Sequence, residues 1–299
     1  MTPRMATPLA LRVCLLACAC ALATAATAQQ REPRPISLMS FNIRYATDRD
    51  GENRWTARRG MLFELLRKES PDIISVQEAL DGQLSDIIRA VNGYTVVGVG
   101  RDDGKAAGEY SAILFKSPRF RIAQSGTFWL SATPELVASR TWGNRIPRIC
   151  SWARLVGDGG RAFWVYNVHL DHESQESREQ SVQLLLQRIR SRSPANEPVI
   201  VTGDFNVGEG NAALEPLLGN GNGTPPFIDT FRKLHPHETD VGTYTAFEFG
   251  RTKGAKIDYV LVEPGTEVIR AGILRYSRNR RYPSDHFPVV ATVRLRASS

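Results

Sequence analysis

Short runs of apolar and β-branched residues recur from residue 36 onward, at 36–43, 73–76, 94–99, 110–115, 150–156, 163–168, 199–201, 257–262 and 289–295. Runs of this length and composition read as strands. Between some of them the apolar period changes to that of a helix. Leu62, Leu65 and Leu66 share a face within 56–68, which Ser70-Pro71 closes. Val182, Leu185, Leu186 and Ile189 share one within 174–192, where Ser174 is placed to cap the start and Pro194 follows the end. A third helical stretch, 84–91, stops at Asn92-Gly93.

Strands outnumber helices, and short turns join many of them. The pattern predicts a largely antiparallel pair of sheets packed face to face with helices outside, not a doubly wound parallel sheet. No internal repeat or linker-like break follows residue 35, and the Gly/Asn/Pro-rich stretch 219–226 reads as a surface loop. One domain is expected, over residues 29–299.

Residues 1–28 break the pattern. Arg4 and Arg12 precede or open an apolar run over 13–23, and Ala26-Thr27-Ala28 supplies a small-x-small cleavage site before Gln29. That is the layout of a secretory signal peptide, with a run too short to span a membrane. Leu15-Leu16-Ala17-Cys18 resembles a lipobox loosely, but cleavage there would cut through the apolar run. The expected destination is periplasmic or secreted.

Removing that segment changes two bulk inferences. Cys14, Cys18 and Cys20 go with it, so Cys150 stands alone and the fold has no internal disulfide. The formal charge falls from +7 to +5, because Arg4 and Arg12 leave and no acid does. That surplus favours anionic substrates mildly and is too weak for a dedicated nucleic-acid binder. At 42% hydrophobic and 23% charged residues, the composition supports an ordinary globular core, and a monomer is expected.

The chemistry-bearing residues fall at strand ends. Asn42, Glu78 and His169 each end an apolar run; Asp204 and Asn206 follow another; Asp258 lies within one, and Asp285-His286 precedes the last. Polar groups ending strands on one side of a sheet converge, which a site requires. Taken singly they read otherwise too. Asn42 suits a turn, Glu78 a helix N-terminus, and His169 a satisfied structural imidazole. Asp204 and Asn206 flank Phe205 and, in an extended segment, point the same way. Asp258, set among Ile257, Tyr259 and Val260, needs a partner if buried. Hard oxygen donors at Glu78, Asp204, Asn42, Asn206 and Asp285 suit Mg²⁺ or Mn²⁺ better than zinc. With histidines oriented by carboxylates, the inventory fits metal-assisted hydrolysis of a phosphate ester.

Met39-Ser40-Phe41-Asn42-Ile43-Arg44, Gln77-Glu78, Asn167-Val168-His169-Leu170, Gly203-Asp204-Phe205-Asn206, Ile257-Asp258-Tyr259 and Ser284-Asp285-His286-Phe287-Pro288-Val289 resemble, in order, the motif series of the endonuclease/exonuclease/phosphatase superfamily. Gly126-Thr127-Phe128-Trp129-Leu130-Ser131 and Pro147-Arg148-Ile149-Cys150-Ser151-Trp152-Ala153-Arg154 further resemble a bacterial branch, some of whose members look like sugar-phosphate phosphatases. The resemblance implies a four-layered α/β sandwich, two mixed, mostly antiparallel sheets face to face with helices outside. It implies Glu78, Asn42 and Asp285 as metal ligands for Mg²⁺ or Mn²⁺. Asp204 would activate the attacking water, Asn206 would steady the phosphate, and His169 would contact it or assist the leaving group. His286 would grip the phosphate with its tautomer set by Asp258, and Arg148 would reach a phosphate oxygen. The expected substrate is a small phosphorylated compound, with nucleic acid or phospholipid diesters and a non-catalytic phosphate binder as alternatives.

The remaining candidates read less specifically. Asp171 and His172 suit either the pocket or a solvated loop, and Arg275, Arg278, Arg280 and Arg281 either an anion funnel or a hydrated surface. Trp129, Trp142 and Trp152 suit a substrate platform or the core, and Cys150 is expected to be buried and inert. A Ser284/Asp285/His286 hydrolase triad fails on context, since no Gly-x-Ser-x-Gly elbow surrounds Ser284. Substrate choice is assigned to the loops at 129–142 and 242–256.

Overall fold

In the computed structural model, residue 2, residues 34–219 and residues 226–296 are described. The expected leader at 1–28 lies outside them except for residue 2, as does most of the loop at 219–226. The strands are β1 (Ile36–Asn42), β2 (Ile73–Ala79), β3 (Tyr94–Val97), β4 (Tyr110–Lys116), β5 (Arg121–Trp129), β6 (Ile149–Val156), β7 (Ala162–His169), β8 (Val199–Asp204), β9 (Ile228–Asp229), β10 (Asp258–Val262), β11 (Glu267–Ile273) and β12 (Val289–Arg294). The helices are α1 (Trp55–Glu69), α2 (Asp81–Ala90), α3 (Gln175–Arg190) and the short α4 (Glu215–Leu218) and α5 (Thr230–Leu234).

Two six-stranded sheets result, ordered β11-β12-β1-β2-β4-β3 and β5-β6-β7-β8-β10-β9. Each holds a single parallel pair, β1/β2 or β7/β8, and pairs its other strands antiparallel. A helix makes each parallel crossover, α1 in the first sheet and α3 in the second, as a parallel connection requires. The expected four-layered sandwich is what forms. Leu62, Leu65 and Leu66 of α1 pack on Met39, Phe41, Ile74 and Val76. Val182, Leu185, Leu186 and Ile189 of α3 pack on Tyr166, Val168 and Val201. Ser174 caps α3 by accepting from the Ser177 N–H at 3.1 Å.

The faces that the sheets turn toward each other change character along the strands. They run Ile36, Leu38, Ser40, Asn42 in β1; Ile73, Ser75, Gln77 in β2; Phe163, Val165, Asn167, His169 in β7; and Ile200, Thr202, Asp204 in β8, all buried. One end of the inter-sheet layer is therefore hydrocarbon and the other a hydrogen-bonded polar seam. Gln77 Nε2 donates to Asn167 Oδ1 at 2.7 Å, and Asn167 Nδ2 donates to the Val76 and Ala112 carbonyls at 2.9 Å. Thr202 Oγ1 donates to Ser75 Oγ at 2.7 Å. Buried polar groups bonded across the two sheets fix their relative placement just beneath the functional edge.

β5 and β11 were not expected from the sequence. Both are edge strands, and β5 leaves much of Arg121–Gly126 solvent-facing while β11 carries Glu267 and Arg270. Edge strands keep charge to deter pairing with other chains, which erases the apolar alternation that marks a strand. Within β5, Gly126 is required by packing, because a Cβ there would stand 2.9 Å from the Trp152 ring.

Arg58 of α1 ties the polar end together. Its guanidinium, fully buried, donates to the carbonyls of Asn53 (2.9 Å), Ile43 (2.6 Å), Pro283 (2.9 Å) and Arg44 (2.6 Å). Burial pulls its pKa down to about 10, so it stays charged at neutral pH. Arg58→Met is expected to cost about 3–5 kcal/mol in urea unfolding, since several carbonyls lose a charged donor where water cannot reach. A loss below 1 kcal/mol would show that these segments hold one another without it.

Candidate active site

In each sheet, the carboxyl ends of the parallel strands and the amino ends of their antiparallel neighbours share one edge. Asn42, Glu78, His169 and Asp204 arrive as strand ends; Glu109, Arg148, Asp258 and Asp285-His286 arrive at or just before the starts of β4, β6, β10 and β12. All but Asn42 and Asp258, which stand fully buried behind it, line a cavity of about 610 Å³, with Arg44, Arg101, His172, Asn206 and Tyr244 also on its walls. That is a small-molecule volume.

Glu78 reaches the cavity only because β2 breaks its alternation. The register against β4 shifts between Gln77 and Ala79, and Glu78 takes φ 61°. In a regular strand it would face opposite to Gln77, toward the helix layer. A positive φ on a non-glycine residue is strain held at a site by its surroundings. Asn42 Nδ2 then donates to Glu78 Oε1 and to Asp204 Oδ2, each at 3.0 Å, linking the two sheets. Glu78 Oε2 accepts from the Tyr45 N–H at 3.2 Å.

Asp204 and Asn206 meet by a different route from the one expected of an extended segment. Asn206 sits at φ 53°, and its N–H donates to Asp204 Oδ1 at 2.9 Å while Nδ2 donates to the Leu170 carbonyl at 3.0 Å. A turn, not strand alternation, sets both at the cavity. Phe205 packs away from it, edge-on to Tyr259 at 5.2 Å. Gly203 is needed just before, because a Cβ there would fall 2.2 Å from the Val168 carbonyl oxygen.

The buried Asp258 finds its partner in His286, whose Nδ1 lies 2.9 Å from Oδ2. Burial drives the His286 imidazole down, but the Asp258 and Asp204 carboxylates outweigh it and hold His286 well above its usual value. Burial, reinforced by the Asp258 charge, pushes Asp204 up to about 7. His169 behaves oppositely: burial and the Arg148 and Arg101 charges keep it neutral, well below the usual histidine range. His169 Nε2 and His286 Nε2 stand 3.7 and 3.8 Å from Asp204 Oδ2. Those gaps are too long for direct hydrogen bonds and suit a bridging water or phosphate oxygen.

Arg148 is almost wholly buried and points its fork at His169, the last residue of β7, and at His172 just beyond it. Nε lies 3.3 Å from Asp171 Oδ2, and the terminal nitrogens lie 3.2 Å from the His169 ring and 2.7 Å from His172 Nδ1. Asp171 is itself pinned, Oδ1 accepting from the Glu173 and Ser174 N–H groups at 2.9 and 2.7 Å. His172 thus lines the cavity while its side chain stays about half exposed, and the buried Asp171 supports Arg148 from behind it. The other open readings resolve as well. Arg275 pairs with Asp240 (3.1 Å) and Arg278 with Glu64 (2.9 Å), so the basic cluster is dispersed on separate partners. Trp129 is core, its Nε1 donating to the Arg101 carbonyl at 2.8 Å. Cys150 is fully buried, and burial pushes its thiol far up, so it is inert. Ser284 Oγ donates to the Asn42 carbonyl at 2.7 Å, which ties the Asp285-His286 turn to β1 and leaves no hydroxyl for a triad.

Among the described residues, one cluster of three has the spacing of a cation site. Ligand atoms of Asp204, Asp258 and His286 lie within 4.8 Å of one another. The Asp258–His286 hydrogen bond fills that space, and a nitrogen donor suits Mg²⁺ poorly. Glu78 and Asp285 are the better fit: two carboxylates facing the cavity, with Asn42 beside them, its Nδ2 donating to Glu78 Oε1 and its Oδ1 accepting from the Arg44 N–H at 3.0 Å. Burial pushes the Asp285 carboxyl up, opposed by His286 and reinforced by the Glu78 charge. The nearest cation, Arg44, stays 3.8 Å from Glu78 and 4.0 Å from Asp285 because Asp50 engages it at 2.9 Å. Two carboxylates that Arg44 pairs only at this longer range fit a divalent ion.

Residues 39–286 match the Endonuclease/Exonuclease/phosphatase family along most of the chain. The protein belongs to that family. Its members hydrolyse phosphoester bonds, so this chain is a phosphoesterase of the endonuclease/exonuclease/phosphatase fold. Among solved structures, a mannosyl-6-phosphatase of Bacteroides thetaiotaomicron is 34% identical, with a TM-score of 0.77 over 86% of this chain and 99% of that one. A second family protein from the same organism is 32% identical, with a TM-score of 0.79 over 89% and 99%. An uncharacterised mimivirus protein is 29% identical across 79% of this chain and 91% of its own length.

All of the residues read from the family motifs converge on the one cavity or its immediate support. Arg101, Glu109 and Tyr244 were not singled out, and Arg44 entered only as the end of a motif. Glu109 and Arg148 share a signal that a search for strand ends alone overlooks: a charged residue just before an antiparallel strand lies at the same edge.

Proposed function

We propose that the protein is a divalent-metal-dependent phosphomonoesterase that hydrolyses a small phosphorylated compound, such as a sugar phosphate, by attack of water. The observation that carries this reading is the triangle of Asp204, neutral His169 and charged His286 about a gap sized for water or a phosphate oxygen. A cation such as Mg²⁺ or Mn²⁺, held by Glu78, Asp285 and Asn42, would supply charge neutralisation to the phosphate. Asp204, titrating near neutrality, accepts a proton from the attacking water as its oxygen bonds to phosphorus. His286, kept protonated by Asp258, donates a hydrogen bond to a phosphate oxygen; Arg148 adds a buried positive charge, and Asn206 and His169 complete the cradle. The phosphorus–oxygen bond to the alcohol breaks as the water adds, the bonding pair leaves with the alcohol oxygen, and that oxygen takes a proton from solvent.

The small-substrate choice is supported by the cavity volume of about 610 Å³, by the dispersed arginines near the C-terminus, and by likeness to a mannosyl-6-phosphatase. No helix among the described residues is long and apolar enough to cross a membrane. Export belongs to the same reading, on the composition of 1–28, and N-terminal sequencing of exported protein should begin at Gln29.

Phosphate release should be screened over hexose phosphates, nucleotides, bis-p-nitrophenyl phosphate and plasmid DNA with Mg²⁺ or Mn²⁺. Hexose monoesters are expected to be preferred, and EDTA to abolish turnover. Plasmid cleavage at trace enzyme would move the reading to a nuclease. Ligand binding without turnover on any substrate would move it to a binding protein.

A further inference from the structure

One polar pair in the cavity has no part in the chemistry above. Arg101 and Glu109 form a bidentate ion pair, both bonds 2.7 Å, on the cavity wall, with side chains about nine-tenths and five-sixths buried. Glu109 Oε2 stops 4.0 Å from His169 Nδ1, too far to orient that ring and far enough to admit another oxygen.

The pair is poorly explained as a clasp for its loop, because the loop is closed many times over. Gly100 and Asp102 N–H groups donate to the Lys105 and Ala107 carbonyls, and Arg101 N–H donates to the Glu109 carbonyl. Tyr110 Oη donates to the Lys105 carbonyl at 2.8 Å, and Asp103 Oδ1 accepts from the Lys105 and Ala107 N–H groups. Nor does a carboxylate help bind phosphate; beside an anion pocket it repels. A carboxylate is useful there as an acceptor for neutral donors. Each Glu109 oxygen uses one lone pair on Arg101 and keeps another, while Arg101 neutralises the charge and fixes the carboxylate plane.

We propose that Arg101–Glu109 reads hydroxyl groups on the alcohol half of the ester, so that the protein selects phosphates of polyhydroxylated alcohols, sugars above all. This rests on the phosphoesterase reading. Neighbouring hydroxyls donate to Glu109 oxygens facing the cavity, and the phosphate stays with His169, His286 and Arg148 across it. Glu109 is then a specificity residue, positioned by Arg101.

The test compares kcat/KM for a hexose 6-phosphate with that for ethyl phosphate, which has no free hydroxyl, in wild type and Glu109→Gln. The hexose-to-ethyl ratio is expected to fall by about 10–100-fold, the loss for one or two hydrogen bonds to a charged acceptor. An unchanged ratio, including an equal loss on both esters, overturns the proposal. If Glu109→Gln does not fold, monodeoxy hexose 6-phosphates on the wild type decide: a penalty of about tenfold or more at one or two positions is expected, and none at any position overturns it. Wild type inactive on both esters would instead remove the phosphomonoesterase reading itself.

Discussion

Glu78→Gln is expected to lower turnover by about 10³-fold or more, because the charge that would draw the metal to the phosphate is worth several kcal/mol in a buried site. The substitution keeps the shape of the side chain. The Asn42 amide can still donate to the remaining carbonyl oxygen, and the bulge that sets Glu78 at φ 61° belongs to the backbone register. Stability should therefore change by no more than about 1–2 kcal/mol, the scale of one mismatched hydrogen bond at Tyr45 or Asn42. Three measurements together check this: turnover with Mg²⁺ or Mn²⁺, cation affinity by titration calorimetry, and the urea midpoint. Wild-type turnover in the variant would sink the assignment of Glu78. Lost turnover with intact cation affinity would move the ligand role to other carboxylates.

The second large effect lies at Asp258. Its carboxylate raises His286 and Asp204 together, so Asp258→Asn should lower both. In a profile requiring ionised Asp204 and protonated His286, the acid limb follows Asp204 and the alkaline limb follows His286, as macroscopic values of a coupled group. Removing the Asp258 charge thus moves both limbs toward lower pH. At pH 7.5 the buried imidazole, no longer held charged, deprotonates, and kcat/KM should fall by about 10²–10³-fold. Lowering the pH should recover part of that loss. Rate profiles and NMR titration of the imidazole signals test the direction, and limbs that stay in place would remove Asp258 from any electrostatic role.

These predictions concern residues whose convergence was legible along the chain, yet their geometry was not. Asn42, His169 and Asp204 end apolar strands, and strand parity alone places each on the inter-sheet face with Ser40, Asn167 and Thr202. Parity fails for Glu78 and Asn206, which reach the cavity through a bulge and a positive-φ turn that no local pattern announces. The edge strands β5 and β11 were hidden for a related reason. Their exposed faces carry charge, and what makes them strands is pairing with β6 and β12, the next strand along the chain in each case, and not a signal within their own residues.

Periodicity by itself determined the sandwich class, the long helices and the cap at Ser174, because burial on one face imposes a repeat on the residues that form it. Composition led to the expectation of a leader and of a core without disulfides, in which Cys150 is indeed free, and residue type determined the oxygen-rich donor set. Only the tertiary structure decided the pairing of Asp258 with His286, the neutral state of His169, the enclosure of Arg148 by Asp171 and His172, and the Arg101–Glu109 pair on the cavity wall. Each depends on through-space distances between strand starts and strand ends. Charge, burial and hydrogen bonding act over a few ångströms of space, whatever the separation along the chain.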